Sequence, residues 1–160
     1  MNAPSTLGQA PGVRVLRQFR IVFNAVKTHF RQVERAVGIG GAQVWALSEV
    51  AARPGIGVNE LARALDIQQS TASNLVKGLL ERQFIVSKRS DTDRRASKLF
   101  VLPAGEAVLK VAPAPLSGLL PDALGALDAA TLARLETDLA ELIGLLQADE
   151  AGANIPLADL

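Results

Sequence analysis

The sequence contains no cysteine, no tyrosine and only one histidine among its 160 residues. Without cysteine the chain cannot form disulfides, sense oxidants through a thiol or bind a metal through thiolates, and this composition is compatible with the cytoplasm. A single histidine leaves no credible transition-metal site, so no cofactor is expected. An enzyme would need an acid–base pair clustered in a cleft, whereas the acids here are spread along helical surfaces. We therefore expect no catalytic activity.

Long apolar runs and aromatic residues are also scarce. Hydrophobic residues make up 49% of the chain, but no stretch approaches the roughly 18 apolar residues of a membrane span. The opening residues MNAPSTLGQAPG lack the basic region and apolar block of a signal peptide. Aromatic residues reach only 4%, which argues against a surface that stacks the bases of single strands. These absences predict one cytoplasmic domain of ordinary size, with no membrane partner.

The net charge of +1 conceals a strongly uneven distribution. Residues 1–37 carry a net charge of +5, residues 68–98 carry +4, and residues 121–160 carry −7. The basic centre of the chain is where a phosphate backbone would bind, and the acidic end points away from it.

The centre of the chain reads as two helices followed by a hairpin. Apolar spacing predicts a short helix at Asn59–Leu65, a break at Asp66 and Ile67, and a second helix at Gln69–Arg82. Two strand-like runs follow, at residues 84–86 and 99–101. A charged loop, Ser87–Lys98, separates them, with turn residues at 90–93. This order is that of a winged helix-turn-helix.

The second helix has short polar side chains on its outer side, which suit a major groove. Hydroxyl and amide groups can hydrogen-bond base edges there. We predict that Ser73 and Asn74 read bases and that Ser70, Thr71 and Lys77 bind phosphates, with Gln69 at the start of the same helix. A helix-turn-helix is also common in proteins that never bind DNA.

The hairpin loop carries the basic side chains of the predicted wing. Arg94 and Arg95 can lie along phosphates or insert into a minor groove, and Lys88 lies on the same hairpin. Asp93, beside both arginines, is predicted to restrain a guanidinium. An Arg-Arg pair on a loop is usually only a solvated turn, but the wing and the polar helix together favour DNA over either feature alone.

Residues 58–106 resemble the MarR family of bacterial transcription regulators. Four segments carry the resemblance: Leu61-Ala62, Gln69-Ser70-Thr71-Ala72-Ser73, Asp93-Arg94-Arg95 and Val101-Leu102-Pro103-Ala104-Gly105. The resemblance implies a homodimer that binds a pseudo-palindromic operator, is often released by a small molecule, and inserts Arg94 into the minor groove at the operator's flanks. Departures from the family pattern stand at helix ends and inside the recognition helix: Gln68, Gly78, Gln83 and Leu102.

The two ends of the chain predict long helices with apolar seams. The first, Val13–Val37, has apolar residues at alternating steps of three and four: Leu16, Phe19, Phe23, Val26, Phe30, Val33 and Val37. Asp128 is predicted to cap the last helix, whose leucine row is Leu132, Leu135, Leu139, Leu142 and Leu146. The first helix is either deep in a core or packed within its own chain and against a partner subunit, and we favour the second.

The family resemblance also implies an effector, with small aromatic acids as a common class. In this chain the usual pocket would draw on Arg20 or His29 to pair with a carboxylate and on Phe23 or Trp45 to stack on a ring. A buried or interfacial role for His29, and core packing for Trp45, are the alternative interpretations.

Together these features predict a mainly α protein with a small β wing: a winged helix-turn-helix with a helical dimerisation region from both termini. The expected divisions are a disordered N-terminus (1–11), a single domain (12–147) with a winged helix-turn-helix lobe (42–102) and dimerisation helices (12–37 and 103–147), and a tail (148–160). The predicted function is a DNA-binding transcription regulator, as a homodimeric repressor released by an effector. The alternative is a winged-helix adapter that binds other proteins.

Overall fold

A computed structural model describes residues 10–160, so residues 1–9 of the predicted disordered N-terminus (1–11) lie outside the described residues, whereas Pro11 already begins the first helix. Its elements in chain order are α1 (Pro11–Val37), α2 (Gly41–Ala52), α3 (Val58–Leu65), α4 (Gln69–Glu81), β1 (Ile85–Arg89), β2 (Ser97–Val101), α5 (Pro103–Val111), α6 (Leu119–Gly125) and α7 (Ala129–Leu146). Two short 3-10 helices, Glu150–Asn154 and Leu157–Asp159, follow. The predicted class, mainly α with a small β wing, is confirmed. No helix among residues 10–160 has the length and apolar character to cross a membrane.

The core lies where α2, α3 and α4 pack together against the base of the hairpin. Its largest fully buried side chains come from all of these elements: Val44, Leu47, Val50, Leu61, Leu79, Ile85 and Leu99. The predicted break at Asp66 is confirmed, because its backbone is left-handed (φ 53°) and ends α3. This arrangement leaves the opposite side of α4 free to present polar side chains.

The hairpin is longer than the sequence predicted. β1 and β2 pair antiparallel from Ile85 opposite Val101 to Arg89 opposite Ser97, so the loop spans residues 90–96 rather than Ser87–Lys98. Phe84 precedes β1 instead of belonging to it. The prediction was wrong because Ser87, Lys88 and Arg89 lack apolar alternation, whereas backbone hydrogen bonds between strands require no apolar side chain.

The terminal helices α1 and α7 bury few of their side chains within the protomer. In α1 only His29 and Val33 are buried, although the helix is 27 residues long, and it begins two residues earlier than predicted. Gly38 ends it with a left-handed backbone (φ 73°), as the predicted helix stop requires. No residue of α7 is buried. Of the two apolar seams only Val33 is buried in the protomer, and the other seam side chains are exposed or half-buried.

The start of α7 matches the expectation from sequence. One oxygen of Asp128 accepts a hydrogen bond from the backbone N–H of Thr131 at 2.9 Å, and the other accepts from its hydroxyl at 2.8 Å. These hydrogen bonds favour the ionised carboxylate and lower the pKa of Asp128. The predicted cap is confirmed.

Gly105, in the first turn of α5, lies against the chain just before β1. A Cβ atom at this position would collide with the carbonyl oxygen of Phe84 and lie 2.9 Å from a methyl group of Val101. The same carbonyl accepts a hydrogen bond from the N–H of Leu102 at 2.8 Å, so it cannot move freely. Only glycine allows α5 to approach the hairpin this closely.

We expect Gly105→Ala to destabilise the fold by about 2 kcal/mol, because forced overpacking costs about 1–3 kcal/mol and outweighs the roughly 1 kcal/mol that alanine gains in a helix. Denaturant unfolding followed by circular dichroism measures the change. Gly144→Ala in α7 is the matched control, since no atom lies within 4 Å of its added Cβ, and it should not destabilise the protein. An unchanged or raised free energy of unfolding in Gly105→Ala would contradict the contact.

Candidate nucleic-acid interface

The outer side of α4 presents a stripe of polar side chains. Ser70, Asn74 and Lys77 are all exposed, and their spacing of four and then three residues places them on one face of the helix. Thr71 and Ser73 are half-buried and flank this stripe, and Gln69 is exposed at its beginning. The opposite side is buried through Ala72, Leu75, Val76 and Leu79. The helix can therefore bring its short polar groups to a groove without losing its core contacts.

The position of α4 depends on a close approach to α2. A Cβ at Gly78 would lie 2.6 Å from Nε2 of Gln43 in α2, so the missing side chain lets the two helices pack with the Gln43 amide between them. Gln43 is itself held, since its Oε1 accepts a hydrogen bond from the N–H of Gly40 at 3.4 Å. Gly78 lowers the helix propensity of α4, the recognition helix, but it allows α4 to pack closely against α2.

The ends of α4 differ from the family pattern as the sequence indicated. Gln68 occupies the N-cap position without a side-chain hydrogen bond. Gln83, which stands where the family has glycine, adopts a left-handed backbone (φ 58°). A non-glycine residue in this conformation costs free energy, on the order of 1 kcal/mol.

The tip of the wing is held by a small network of hydrogen bonds. Ser90 is buried (7% exposed), its hydroxyl lies 3.0 Å from that of Thr92, and its N–H donates to the carbonyl of Ala96. The N–H of Ala96 donates in turn to the carbonyl of Asp93. The sequence predicted that Ser90 and Thr92 lie in a turn, but only the structure shows the hydrogen bond between their hydroxyl groups.

Asp93 acts on the backbone and not on a guanidinium, which corrects the prediction. Its Oδ1 accepts a hydrogen bond from the N–H of Arg95 at 2.9 Å. The physical reason is distance along the chain, because an Asp side chain in a turn reaches the N–H two residues on before it reaches a long side chain. Asp93 therefore helps to fix the loop that carries Arg94 and Arg95.

The basic side chains of the wing are exposed. Arg94 and Arg95 are at the surface, and within residues 10–160 neither lies within ion-pair distance of a carboxylate. The ammonium of Lys88 lies over the ring of Phe100, 5.2 Å from its centroid, which anchors this lysine on the strand. With Arg89 and Lys98 on the strands, the hairpin presents five basic side chains.

The wing and the recognition helix meet at one cleft of about 270 Å³. Its walls combine the first turn of α3, the beginning of α4 and the base of the wing loop, including Asn59, Gln69 and Arg95. The structure therefore brings together two features that are 26 residues apart in the chain. Asn59 was not among the predicted site residues, since nothing in a helix start distinguishes it.

The four predicted effector residues are not brought together. Arg20 and Phe23 are exposed on α1, the latter by 65%, and His29 is buried (5% exposed). Trp45 is half-buried and lines a small cavity that includes none of the other three. Binding of a small aromatic carboxylate stays a prediction. Thermal-shift screening with benzoate-like compounds tests it, since the shift should disappear in an Arg20→Ala, His29→Ala double variant.

The architecture defines the class: a winged helix-turn-helix with an exposed polar recognition helix and a basic wing. Residues 37–96 match the model of the MarR family. A structure of MarR is 26% identical, with 59% of this chain covering 70% of that chain at a TM-score of 0.52. Over residues 37–96 the chain is thus similar to the MarR family, whose members are DNA-binding transcription regulators and not enzymes.

Structures of more complete overlap have lower identity and show the same fold. FabT of Streptococcus pneumoniae in complex with DNA is 14% identical, with 84% of this chain covering 96% of that chain at a TM-score of 0.57. The S. aureus MepR–DNA complex is 16% identical, with coverages of 86% and 99% and a TM-score of 0.57. No curated protein matches the chain by sequence.

Proposed function

We propose that the protein is a homodimeric repressor that reads a pseudo-palindromic operator in duplex DNA. The observation that carries this proposal is the cleft shared by Gln69 at the start of α4 and Arg95 on the wing. A polar helix alone or a basic loop alone is common in proteins that bind no DNA. A recognition helix and a wing that face one duplex together allow simultaneous contact with a major groove and the adjoining backbone or minor groove.

The assignment of roles follows from exposure. Asn74 is exposed on the central stripe of α4, where its amide can donate to and accept from a base edge, and Ser73 is beside it. Ser70, Thr71 and Lys77 are placed to bind phosphates, and Arg94 to enter the minor groove. Residues 68–98 have a net charge of +4, which supplies the counterion-release part of the affinity.

A dimer is supported by the two uncovered helices. Large apolar side chains on both are substantially exposed in the protomer: Val13, Leu16, Val22 and Phe23 on α1, and Leu132, Leu139 and Leu146 on α7. Large apolar side chains exposed in such numbers on two helices support burial against a partner. Residues 1–37 are basic and residues 121–160 are acidic, so helices of two copies can attract each other. Two recognition helices would then reach successive major grooves, about 34 Å apart.

The relatives solved with DNA support duplex DNA as the ligand. Occupation of an operator by a dimer blocks access to the same DNA, which is the physical basis for repression. The test is selection from a random duplex library, followed by footprinting of the selected site. We expect an inverted repeat with half-sites about one helical turn apart. An adapter that binds proteins would select nothing and would show no salt-dependent binding to random DNA.

Replacing Asn74 by alanine should cost about 1–3 kcal/mol of operator affinity and relax base preference at one position of each half-site. Affinity for random DNA should stay the same, because a base contact contributes little there. Lys77→Ala is the control for a phosphate contact: it should weaken operator and random DNA alike and reduce the salt slope by about 1. Equal losses on both DNAs for Asn74→Ala would make Asn74 a backbone contact.

A further inference from the structure

The C-terminal segment, residues 148–160, folds back from α7 onto the other helices. Ala158 packs against the edge of the hydrophobic core. Three residues of the segment form one wall of a cavity of about 50 Å³, and side chains of α1, α2 and α6 form the facing walls: Pro156, Leu157 and Ala158 against Phe30, Trp45 and Pro121. The segment therefore lies against three helices, of which α1 and α2 are consecutive in the chain and α6 is distant from both.

The contact is closest at the first residue of α2. A Cβ at Gly41 would lie 2.5 Å from a ring carbon of Phe30 and 3.5 Å from the methyl group of Ala158. The absence of a side chain at Gly41 lets the Phe30 ring approach the backbone of α2, and Ala158 lies at ordinary van der Waals distance from the same position. Ala158 and the Phe30 ring therefore pack against the same residue of α2, next to the hydrophobic core.

The cavity beneath the segment is too small to hold a ligand. Small-molecule sites occupy about 300–1,000 Å³, several times the 50 Å³ found here. The side chains of the C-terminal segment themselves occupy most of the space between α1, α2 and α6.

The first turn of α2 joins this contact to the recognition helix. Gly41 receives Phe30 and Ala158 on one side, and two residues later Gln43 lies against Gly78 of α4. Gly41 and Gln43 belong to the same turn of α2, so this turn contacts both the C-terminal segment and the recognition helix α4.

We propose that the C-terminal segment is an intramolecular clasp, which holds the first turn of α2 against α1 and α6 and thereby fixes the orientation of the recognition helix. Release of the clasp lets the DNA-reading lobe tilt relative to the helices that lead to the partner subunit. The effect on operator binding rests on the proposed function, whereas the docking of the segment does not.

The test uses Ala158→Arg in the full chain, which places a long charged side chain in the apolar contact. Ala153→Arg is the matched control, since Ala153 is exposed in the same segment and the substitution is identical. Trp45 is the only tryptophan, so its fluorescence reports directly on the covered surface. We expect red-shifted emission and stronger acrylamide quenching in Ala158→Arg alone, with operator affinity lowered about tenfold and the dimer intact.

Each outcome decides the proposal. Identical Trp45 quenching in the two variants would show that the segment does not dock and would overturn the clasp. Greater quenching in Ala158→Arg with unchanged operator affinity would show docking without coupling to the recognition helix, and would also overturn it. If the unchanged protein selects no operator, the proposed function fails, while the quenching comparison still decides whether the segment docks.

Discussion

Leu139→Asp should convert the proposed dimer into folded monomers that no longer bind the proposed operator. Leu139 lies on the uncovered leucine row of α7, 40% exposed in the protomer. Burial of a leucine side chain is worth about 1.5–3 kcal/mol, and a two-fold interface loses it twice. A loss of about 4 kcal/mol raises the dissociation constant roughly a thousandfold, before the cost of burying a carboxylate is counted.

Sedimentation velocity measures the mass, and circular dichroism shows whether the monomer stays folded. Thr137→Asp is the control, because it adds the same charge two residues away, about 200° around the helix and thus on the opposite face. Phe23→Asp on α1 should dissociate the dimer as well, and deletion of residues 128–160 should give monomers or insoluble protein. A soluble dimer of Leu139→Asp with unchanged affinity would place the interface elsewhere.

Loss of the wing arginine is the second large effect that we expect. Arg94→Ala should lower operator affinity by about 2 kcal/mol per half-site or more, since the minor groove concentrates negative potential and a guanidinium there is not replaced by another group. The fold should be unaffected, because Arg94 is exposed and the loop is held by Ser90, Thr92 and Asp93. Fluorescence anisotropy with the selected operator gives the affinity, and thermal unfolding gives the stability.

A second variant that also removes one positive charge shows whether the loss of affinity depends on the position of the arginine or only on the net charge. Arg134→Ala removes a cation from the exposed surface of α7, outside the cleft between α4 and the wing, and should leave affinity nearly unchanged. Similar losses in the two variants would mean that only net charge matters. Unchanged operator affinity in Arg94→Ala would rule out the minor-groove role.

The wing shows why both its charges and its turn are needed. Guanidinium groups supply the attraction to DNA, but a mobile loop would lose conformational entropy on binding. The amide of Arg95 is already held by Asp93, and the loop closes through the bonds between residues 90 and 96. The wing loop is therefore already partly ordered in the free protein, which lowers the conformational entropy lost on binding DNA.

The sequence by itself determined the elements and their chemistry. Helical periods located α1 to α4, and Asp128 marked the start of α7, because apolar spacing and caps are local properties of the chain. The polar face of α4 and the arginines of the wing were also readable, since a side chain opposite a buried stripe is exposed in any packing that keeps the helix amphipathic.

Only the tertiary structure decided which distant residues meet. The approach of Gly105 to the Phe84 carbonyl, of Gly78 to Gln43 and of Ala158 to Gly41 leaves no periodic trace in the sequence, because each depends on how two elements pack. Packing likewise buried His29 and left Phe23 exposed, although Phe23 and not His29 belongs to the apolar seam of α1. Local sequence patterns determine which side chains lie on each face of a helix, whereas the tertiary packing determines which of those side chains are buried.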